Sequence, residues 1–328
     1  MNMPTRALGA SGVTVSRLAL GSWRTFERIS RDEGVAVLRA ARELGITFLD
    51  DARYDDETGA APMRTGYSEV VFGELFRAAG WPREQAIVAN KLWWEFWPEQ
   101  SPEQELDASL ARMEFDHVDL VYAAPPPDGL DVAEAVERIV ALLETGKARA
   151  WGVLNWTAAQ VLEAAQIADM RGWPGPSAAQ LPYSLVHRDV VEDDHLIRAL
   201  AAANAAVVAS AALAGGVLTG KYDTGADGRH PDALTEPQLA AAVAAGPELA
   251  ALAAESGVSP AALALAFPLL NPAVASLLTG ATHAEQVHAN VAALQVAETL
   301  DESMTARLRA IGAPSDAVSP AQAPVTAQ

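Results

Sequence analysis

The sequence predicts an α/β protein, a (β/α)8 TIM barrel with an N-terminal β-hairpin and extra C-terminal helices. Two observations predict it. Eight short β-rich apolar runs alternate with helical patterns between residues 15 and 282, in one continuous chain. The first run leads into GSWRTF (21–26) rather than a G-x-G-x-x-G turn, which counts against an open, doubly wound sheet. The length of 328 residues suits this reading, since such barrels often exceed ~250 residues as one unit.

The elements follow in order. MPTRALGASGVTV (3–15), with Gly9 and Ser11-Gly12, predicts a β-hairpin closing the bottom of the barrel. Strands are expected at 15–22, 46–52, 86–91, 117–124, 149–155, 177–184, 206–213 and 274–282. Apolar residues recur at spacings of three and four over 31–44, 68–79, 101–114, 131–145, 157–170 and 191–204, the pattern of helices with one buried face. Ser101-Pro102 with Glu105 nearby, and Thr157, supply start signals. Longer helical segments at about 236–256 and 260–270 precede the last strand, and 221–235 is a polar loop expected on the functional face. A single domain is expected over 1–312, and APSDAVSPAQAPVTAQ (313–328) has the composition of a disordered tail.

Composition narrows the function classes. Lys and Arg total 23 against 42 Asp and Glu, a formal net charge of −19, which argues against nucleic acid and anionic membrane as partners. With no cysteine there are no disulfides, no thiolate catalysis and no Cys-ligated metal. The N-terminus lacks an apolar signal core, and the Ala-rich stretches are interrupted by charges, Gly or Pro, so a cytoplasmic protein without membrane spans is expected. A small-molecule substrate is the expected partner, and a homo-oligomer stays open.

In such a barrel the chemistry sits at the C-terminal strand ends. Those ends carry Gly21-Ser22-Trp23, Asp50-Asp51, Lys91, Ala124, Asn155, Gln180, residues 210–213 and residues 280–282. An Asp and a Lys each ending an apolar strand would be costly alone and satisfied as a pair. That pair reads equally as a structural ion pair or as a lysine lowering the pKa of a neighbouring acid. KLWWEFWPEQ (91–100) adds Trp93, Trp94, Phe96 and Trp97, either a packed hydrophobic loop or the wall of a pocket for a bulky apolar molecule.

The pieces LGASGVTVSRLALGSW, GITFLDDARY, SEVVFGELF, VANK, SLARMEFDHVDLVY, GKARAWGVLNW, AAQLPYS, LAGGVLTGKY and LLTGATHAEQVHAN occur in an order and spacing similar to those of the aldo-keto reductases, including the potassium-channel β-subunit branch. The resemblance runs from about residue 5 to 295. It implies NADPH as cofactor and hydride transfer to a carbonyl. It places Asp50 and Lys91 in the family's catalytic Asp and Lys positions. The family tyrosine position falls on Asp55, so Tyr54 is the first choice and Tyr67 the alternative, with DDETGAAPMRT (55–65) between them. A phenol suits the chemistry because the carbonyl oxygen gains negative charge, and a nearby ammonium makes the phenol a better acid.

For the cofactor the resemblance implies Gly21, Ser22 and Trp23 at the first strand end, and Asn155 and Gln180 at the nicotinamide amide. Leu213, Gly215, Leu218, Gly220 and Lys221 fall in the pyrophosphate loop, where glycine N–H groups approach phosphate closely. Gly280 and Thr282 fall at the 2′-phosphate, and Gln286 and Asn290, spaced i, i+4 on one helix face, at the adenine. No metal is implied. Besides the tyrosine position, the chain departs from the family at four places. Ala124 stands where His or Asn is expected, Leu154 replaces the amide-holding Ser, and Ser210 replaces the stacking aromatic, with Tyr183 and Trp156 as candidate substitutes. No Arg accompanies Thr282, with His283 an ambiguous stand-in, so NADP against NAD stays open. These departures leave two functions in view: a reductase acting on C=O, or on C=N, in a bulky, partly apolar molecule, and an NADP(H)-binding sensor or regulatory subunit with little turnover.

Overall fold

Eight parallel strands close into a barrel in chain order, and a separate hairpin covers one end. A computed structural model describes residues 3–224 and 235–313. The hairpin is β1 (Thr5–Ala7) and β2 (Thr14–Ser16). The barrel is β3 (Leu18–Gly21), β4 (Phe48–Asp50), β5 (Ile87–Leu92), β6 (Val118–Ala123), β7 (Ala148–Leu154), β8 (Ala178–Pro182), β9 (Ala206–Ser210) and β10 (Val274–Thr279). Closure comes from β10 against β3, with Leu277 opposite Leu18 and Thr279 opposite Leu20.

The helices are α1 (Arg31–Glu43), α2 (Tyr67–Ala78), α3 (Pro102–Met113), α4 (Val132–Glu144), α5 (Ala158–Arg171), α6 (Asp194–Ala203), α7 (Ala240–Ser256), α8 (Pro260–Leu270), α9 (Ala284–Thr299) and α10 (Glu302–Ala310). Most start on a side-chain cap that satisfies an otherwise unpaired N–H. Ser30 with Glu33 and Thr157 with Gln160 form reciprocal capping boxes. The α3 box uses Ser101 with Gln104, not Glu105. Glu105 turns inward instead, and its carboxylate accepts the backbone N–H of Trp93 and Trp94 at 2.9 and 3.2 Å. α6 starts later than the periodicity predicts because Asp193 caps it, accepting from His195 and Leu196.

Two packing layers result. Large aliphatic and aromatic side chains fill the space between strands and helices. Inside the barrel, Ala19, Phe48, Ala89, Leu120, Tyr122 and Val208 pack with Leu8 and Val15 of the hairpin, both fully buried. The predicted hairpin is therefore the floor of the barrel, and the opposite, C-terminal strand ends form its mouth.

Among the described residues one helical stretch, Pro237–Ser256, is by length and composition apolar enough to cross a membrane, a run that the sequence reading did not expect. Here Ala242, Ala245, Leu249, Leu252 and Ala253 bury its inner side within the barrel protein's core. Residues 225–234 of the expected polar loop, and 314–328 of the expected tail, lie outside the described residues.

Candidate active site

Register brings the charged strand ends together. Asp50 is the last residue of β4, flanked by Gly21 of β3 and Ala89 of β5, and Lys91 follows two residues on in β5. Lys91 Nζ lies 2.5 Å from Asp50 Oδ1 and donates to Tyr54 Oη at 3.1 Å. The second Asp50 oxygen accepts from Gln180 Nε2 at 2.8 Å, across the barrel from β8. Asp50 and Lys91 are both essentially inaccessible to solvent. Burial works against the Lys91 charge, yet Asp50 and Tyr54 outweigh it and raise its pKa above the ordinary value. Lys91 is therefore a fixed ammonium. Burial raises the Tyr54 pKa as well; Lys91 opposes this in part, and Asp50 and Asp51 add to it, so the phenol holds its proton at neutral pH.

The two tyrosines separate cleanly. Residues 55–65 loop out and return: Asp55 bridges to Thr65, Asp56 N–H donates to Arg64 O at 2.7 Å, and Gly66 N–H donates to Tyr54 O at 2.8 Å. The insertion leaves Tyr54 beside Lys91, with its ring edge-on to Trp93 at 6.3 Å between centroids. Tyr67 opens α2 on the outside, where Arg31 donates to its hydroxyl at 3.1 Å and stacks over its ring at 5.8 Å. Only Tyr54 of the two shares the lysine.

Of what stands behind this set, sequence reasoning named Ser22 and Asp51 and missed Glu69, Asn90 and Arg112. The Ser22 hydroxyl donates to Asp51 Oδ1, and Asp51 Oδ2 is buried without a hydrogen-bond partner. Glu69 of α2, fully buried, accepts from Asn90 Nδ2 at 2.9 Å and pairs with Arg112 Nε at 2.5 Å. Asn90 Oδ1 in turn accepts the Lys91 backbone N–H at 2.6 Å. Glu69 and Asn90 are legible in the sequence only as members of SEVVFGELF and VANK, with no role attached to either.

The aromatic run divides between packing and wall. Trp94 takes a left-handed backbone, φ 61°, fixed by Glu105, and its indole is buried with Nε1–H donating to the Ala124 carbonyl at 2.9 Å. Trp94 thus occupies the ground beside Ala124, packed edge-on against Trp97 at 6.2 Å. Trp23 and Phe96 stay 45% and 48% exposed, each with an arginine on its face: Arg24 at 4.7 Å and Arg53 at 5.3 Å. Arg53 is itself neutralised by Glu95 at 2.5 Å.

The candidate replacements fare differently. Neither Tyr183 nor Trp156 offers a free ring face. Tyr183 is buried against Phe267 at 5.5 Å, with its hydroxyl on Glu192 at 2.7 Å. Trp156 is buried edge-on to Trp151 at 6.3 Å. Among the described residues no histidine replaces the one absent at Ala124: His187 is exposed in a turn with Ser184, His195 lies on the exposed face of α6, and His117 precedes β6 at the floor. His283 pairs at the surface with Glu33, 3.4 Å away. Leu154 is buried in the barrel interior.

The turn that the resemblance assigns to the pyrophosphate lies beyond β9. In it, Gly215, Gly216 and Gly220 all have left-handed backbones, at φ 65°, 94° and 75°, so at these glycines the turn presents backbone without side chains. Lys221 arches over it: a Cβ on Gly216 would lie 3.0 Å from Lys221 Cε. Leu213 is half-buried, and Leu218 anchors the turn in the core. Past Gly280, the Thr282 N–H donates to Gln286 Oε1 at 2.7 Å, so Gln286 caps the start of α9, and Asn290 is buried one turn later on the same face. Asn155, at φ 56°, and Ser210 stand at the ends of β7 and β9; Asn155 is exposed and Ser210 half-buried. The cradle therefore fits a dinucleotide at its phosphates, while Gln180 is engaged with Asp50 and Tyr183, whose backbone N–H donates to Ser210 O at 3.0 Å, is buried. Among the described residues no group of three or more His, Asp or Glu side chains is placed to hold a metal ion.

Barrel and site together define an oxidoreductase-type α/β-barrel protein. The model of the aldo/keto reductase family matches residues 17–313. The chain belongs to the aldo/keto reductase family. It is 32% identical over 328 residues, covering 94% of this chain and 96% of the relative, to a protein of Oryza sativa subsp. japonica described as a probable voltage-gated potassium channel subunit beta. A protein of Arabidopsis thaliana with the same description is 30% identical over 313 residues, covering 90% of this chain and 92% of the relative.

Proposed function

We propose that this chain is an NADPH-dependent reductase of a C=O group in a bulky, partly apolar molecule, with Tyr54 as proton donor. The observation that carries the reading is Lys91 Nζ shared between Asp50 and the Tyr54 hydroxyl. Bound NADPH supplies hydride to the carbonyl carbon. As negative charge grows on the carbonyl oxygen, Tyr54 Oη gives up its proton to that oxygen, and the phenolate left behind is stabilised by the Lys91 ammonium 3.1 Å away. Asp50 holds Lys91 in place and charged, and Gln180 holds Asp50.

In this reading Leu213, Gly215, Leu218 and Lys221 hold the pyrophosphate, and Gly280, Thr282, Gln286 and Asn290 the adenosine end. Gly21, Ser22, Trp23, Asn155 and Ser210 border the nicotinamide, and Gln180 joins them. Trp23, Trp93 and Phe96 line the approach for an apolar substrate. Ala124 supplies no second donor, so the proton step falls to Tyr54 alone. That suits a substrate needing little acid assistance, including a C=N bond that arrives protonated.

The names of the relatives and the Ala124 methyl favour a second reading: a cofactor-binding regulatory subunit, acting with a channel, that turns over slowly or not at all. NADPH fluorescence titration followed by single-turnover oxidation with aldehydes, ketones and imines separates the two. Oxidation by any of these, lost in Tyr54→Phe, supports the reductase. Tight binding without oxidation by the panel selects the subunit.

A further inference from the structure

Asp50 and Asp51 adjoin in sequence and are both buried, but their carboxyls meet different surroundings. Asp50 has both oxygens engaged, by Lys91 and Gln180. Asp51 has Ser22 on one oxygen, and its other oxygen has no hydrogen-bond partner among the described residues. An ionised carboxylate in that position would be buried with an unmet charge, among the costliest arrangements a fold can hold. The charged groups facing it do not relieve this. Glu69, from α2, is a second carboxylate, stabilised by Arg112 of α3 and Asn90 of β5. Lys91, from β5, is already matched by Asp50, with the neutral Tyr54 beside it. Burial, then Glu69, push the Asp51 pKa well above the usual carboxylate value; Ser22, the backbone N–H of Ala52 and Lys91 oppose this without cancelling it.

We propose that Asp51 is a positioning residue kept as an uncharged carboxylic acid, which anchors the Ser22 hydroxyl and leaves Asp50 to balance Lys91 alone. Were Asp51 ionised, a second negative charge beside Lys91 and Tyr54 would oppose the phenolate that forms when Tyr54 gives up its proton. Kept neutral, it leaves the lysine charge free to acidify the phenol. This consequence rests on Tyr54 as proton donor; the charge state of Asp51 does not.

The charge state is tested without cofactor, by denaturant unfolding of the wild type and Asp51→Asn across pH. A carboxyl whose folded-state pKa exceeds its unfolded value (~3.9) stabilises the fold at low pH and loses that contribution as pH rises through the folded value. The wild type should therefore lose stability relative to Asp51→Asn as pH climbs from about 4. A flat difference, or one moving toward the wild type, overturns the proposal. Infrared spectra of wild-type protein with 13C-labelled aspartate give the same answer without any variant: a protonated-carboxyl band that shifts with the label is expected at neutral pH, and its absence overturns the proposal. The coupling to Tyr54 is read from single-turnover oxidation of NADPH by 4-nitrobenzaldehyde against pH. The wild type should slow by up to about tenfold, the factor of one pKa unit, as pH rises through the folded-state value, where its stability loss levels off, and Asp51→Asn should lack that limb. The same limb in both proteins overturns the coupling. No oxidation at any pH by carbonyl or imine substrates refutes the reductase reading, while the unfolding and infrared results still decide the state of Asp51.

Discussion

The floor and the mouth of this barrel each bury a cation, and the two are held in opposite ways. At the floor, Arg17 has no counter-ion: its guanidinium donates to the Val274 carbonyl and to Leu269 O at 2.8 Å, with Ala275 O at 3.4 Å. Burial, with nearby Arg6, lowers its pKa to about 10, so it stays charged at neutral pH while it ties β10 and the end of α8 to the hairpin. At the mouth, Lys91 faces a carboxylate and a phenol, and its pKa is raised. A guanidinium spread over backbone carbonyls is a fastener. An ammonium placed between an acid and a hydroxyl stabilises whichever partner becomes negative, which is what the proposed proton transfer from Tyr54 needs.

Substitutions should expose that difference. Lys91→Met should cost most: turnover should fall by about 10²–10⁴-fold, measured as the single-turnover rate with saturating NADPH, because the proton donor loses its supporting charge. The same change strands Asp50 as a buried unpaired acid, so the denaturation midpoint should drop by the equivalent of ~3 kcal/mol. That stability gap has a predictable pH dependence. A lysine whose folded pKa exceeds the ordinary ~10.4 contributes below that value and loses its contribution as pH rises through the folded value, so the gap should narrow only in strong alkali.

Arg17→Met should show the reverse profile. Buried carbonyls at the floor lose their donor, so stability should fall by ~2–3 kcal/mol in denaturant titration, with the rate per folded molecule kept. Trp94→Phe removes one buried hydrogen bond, to Ala124 O, and should cost ~1 kcal/mol. Tyr67→Phe should be the mildest, within about 0.5 kcal/mol and with turnover kept, because its hydroxyl meets only Arg31 at the rim. Loss of turnover in Tyr67→Phe alone, with Tyr54→Phe active, would reverse the assignment of the proton donor.

Much of this was legible in the chain because it is local. Alternating apolar runs and cap residues located the strands and most helices to within a few residues, since periodicity and capping act over one or two turns. Asp50 and Lys91 stood out because each ends an apolar strand, where a charge needs a partner. Misreadings arose where a side chain had two possible neighbourhoods. Glu105 is a helix-start acid by position, but it turned inward to fix Trp93 and Trp94. Tyr183 and Trp156 are possible ring faces by position, but both are core.

By itself the sequence determined the barrel, its hairpin floor, the glycine-rich turn at 214–220 and the absence of a hydrogen-bonding side chain at residue 124. Those follow from residue type and spacing along the chain. Tertiary structure alone decided that Tyr54 and not Tyr67 shares Lys91, that Trp94 seats itself on the Ala124 carbonyl, and that Asp51 is buried beside Glu69 with an oxygen unmatched. Each depends on closing the barrel and folding back the 55–65 loop, which bring side chains from different strands and helices within hydrogen-bonding distance, and one-dimensional spacing does not encode distances of that kind.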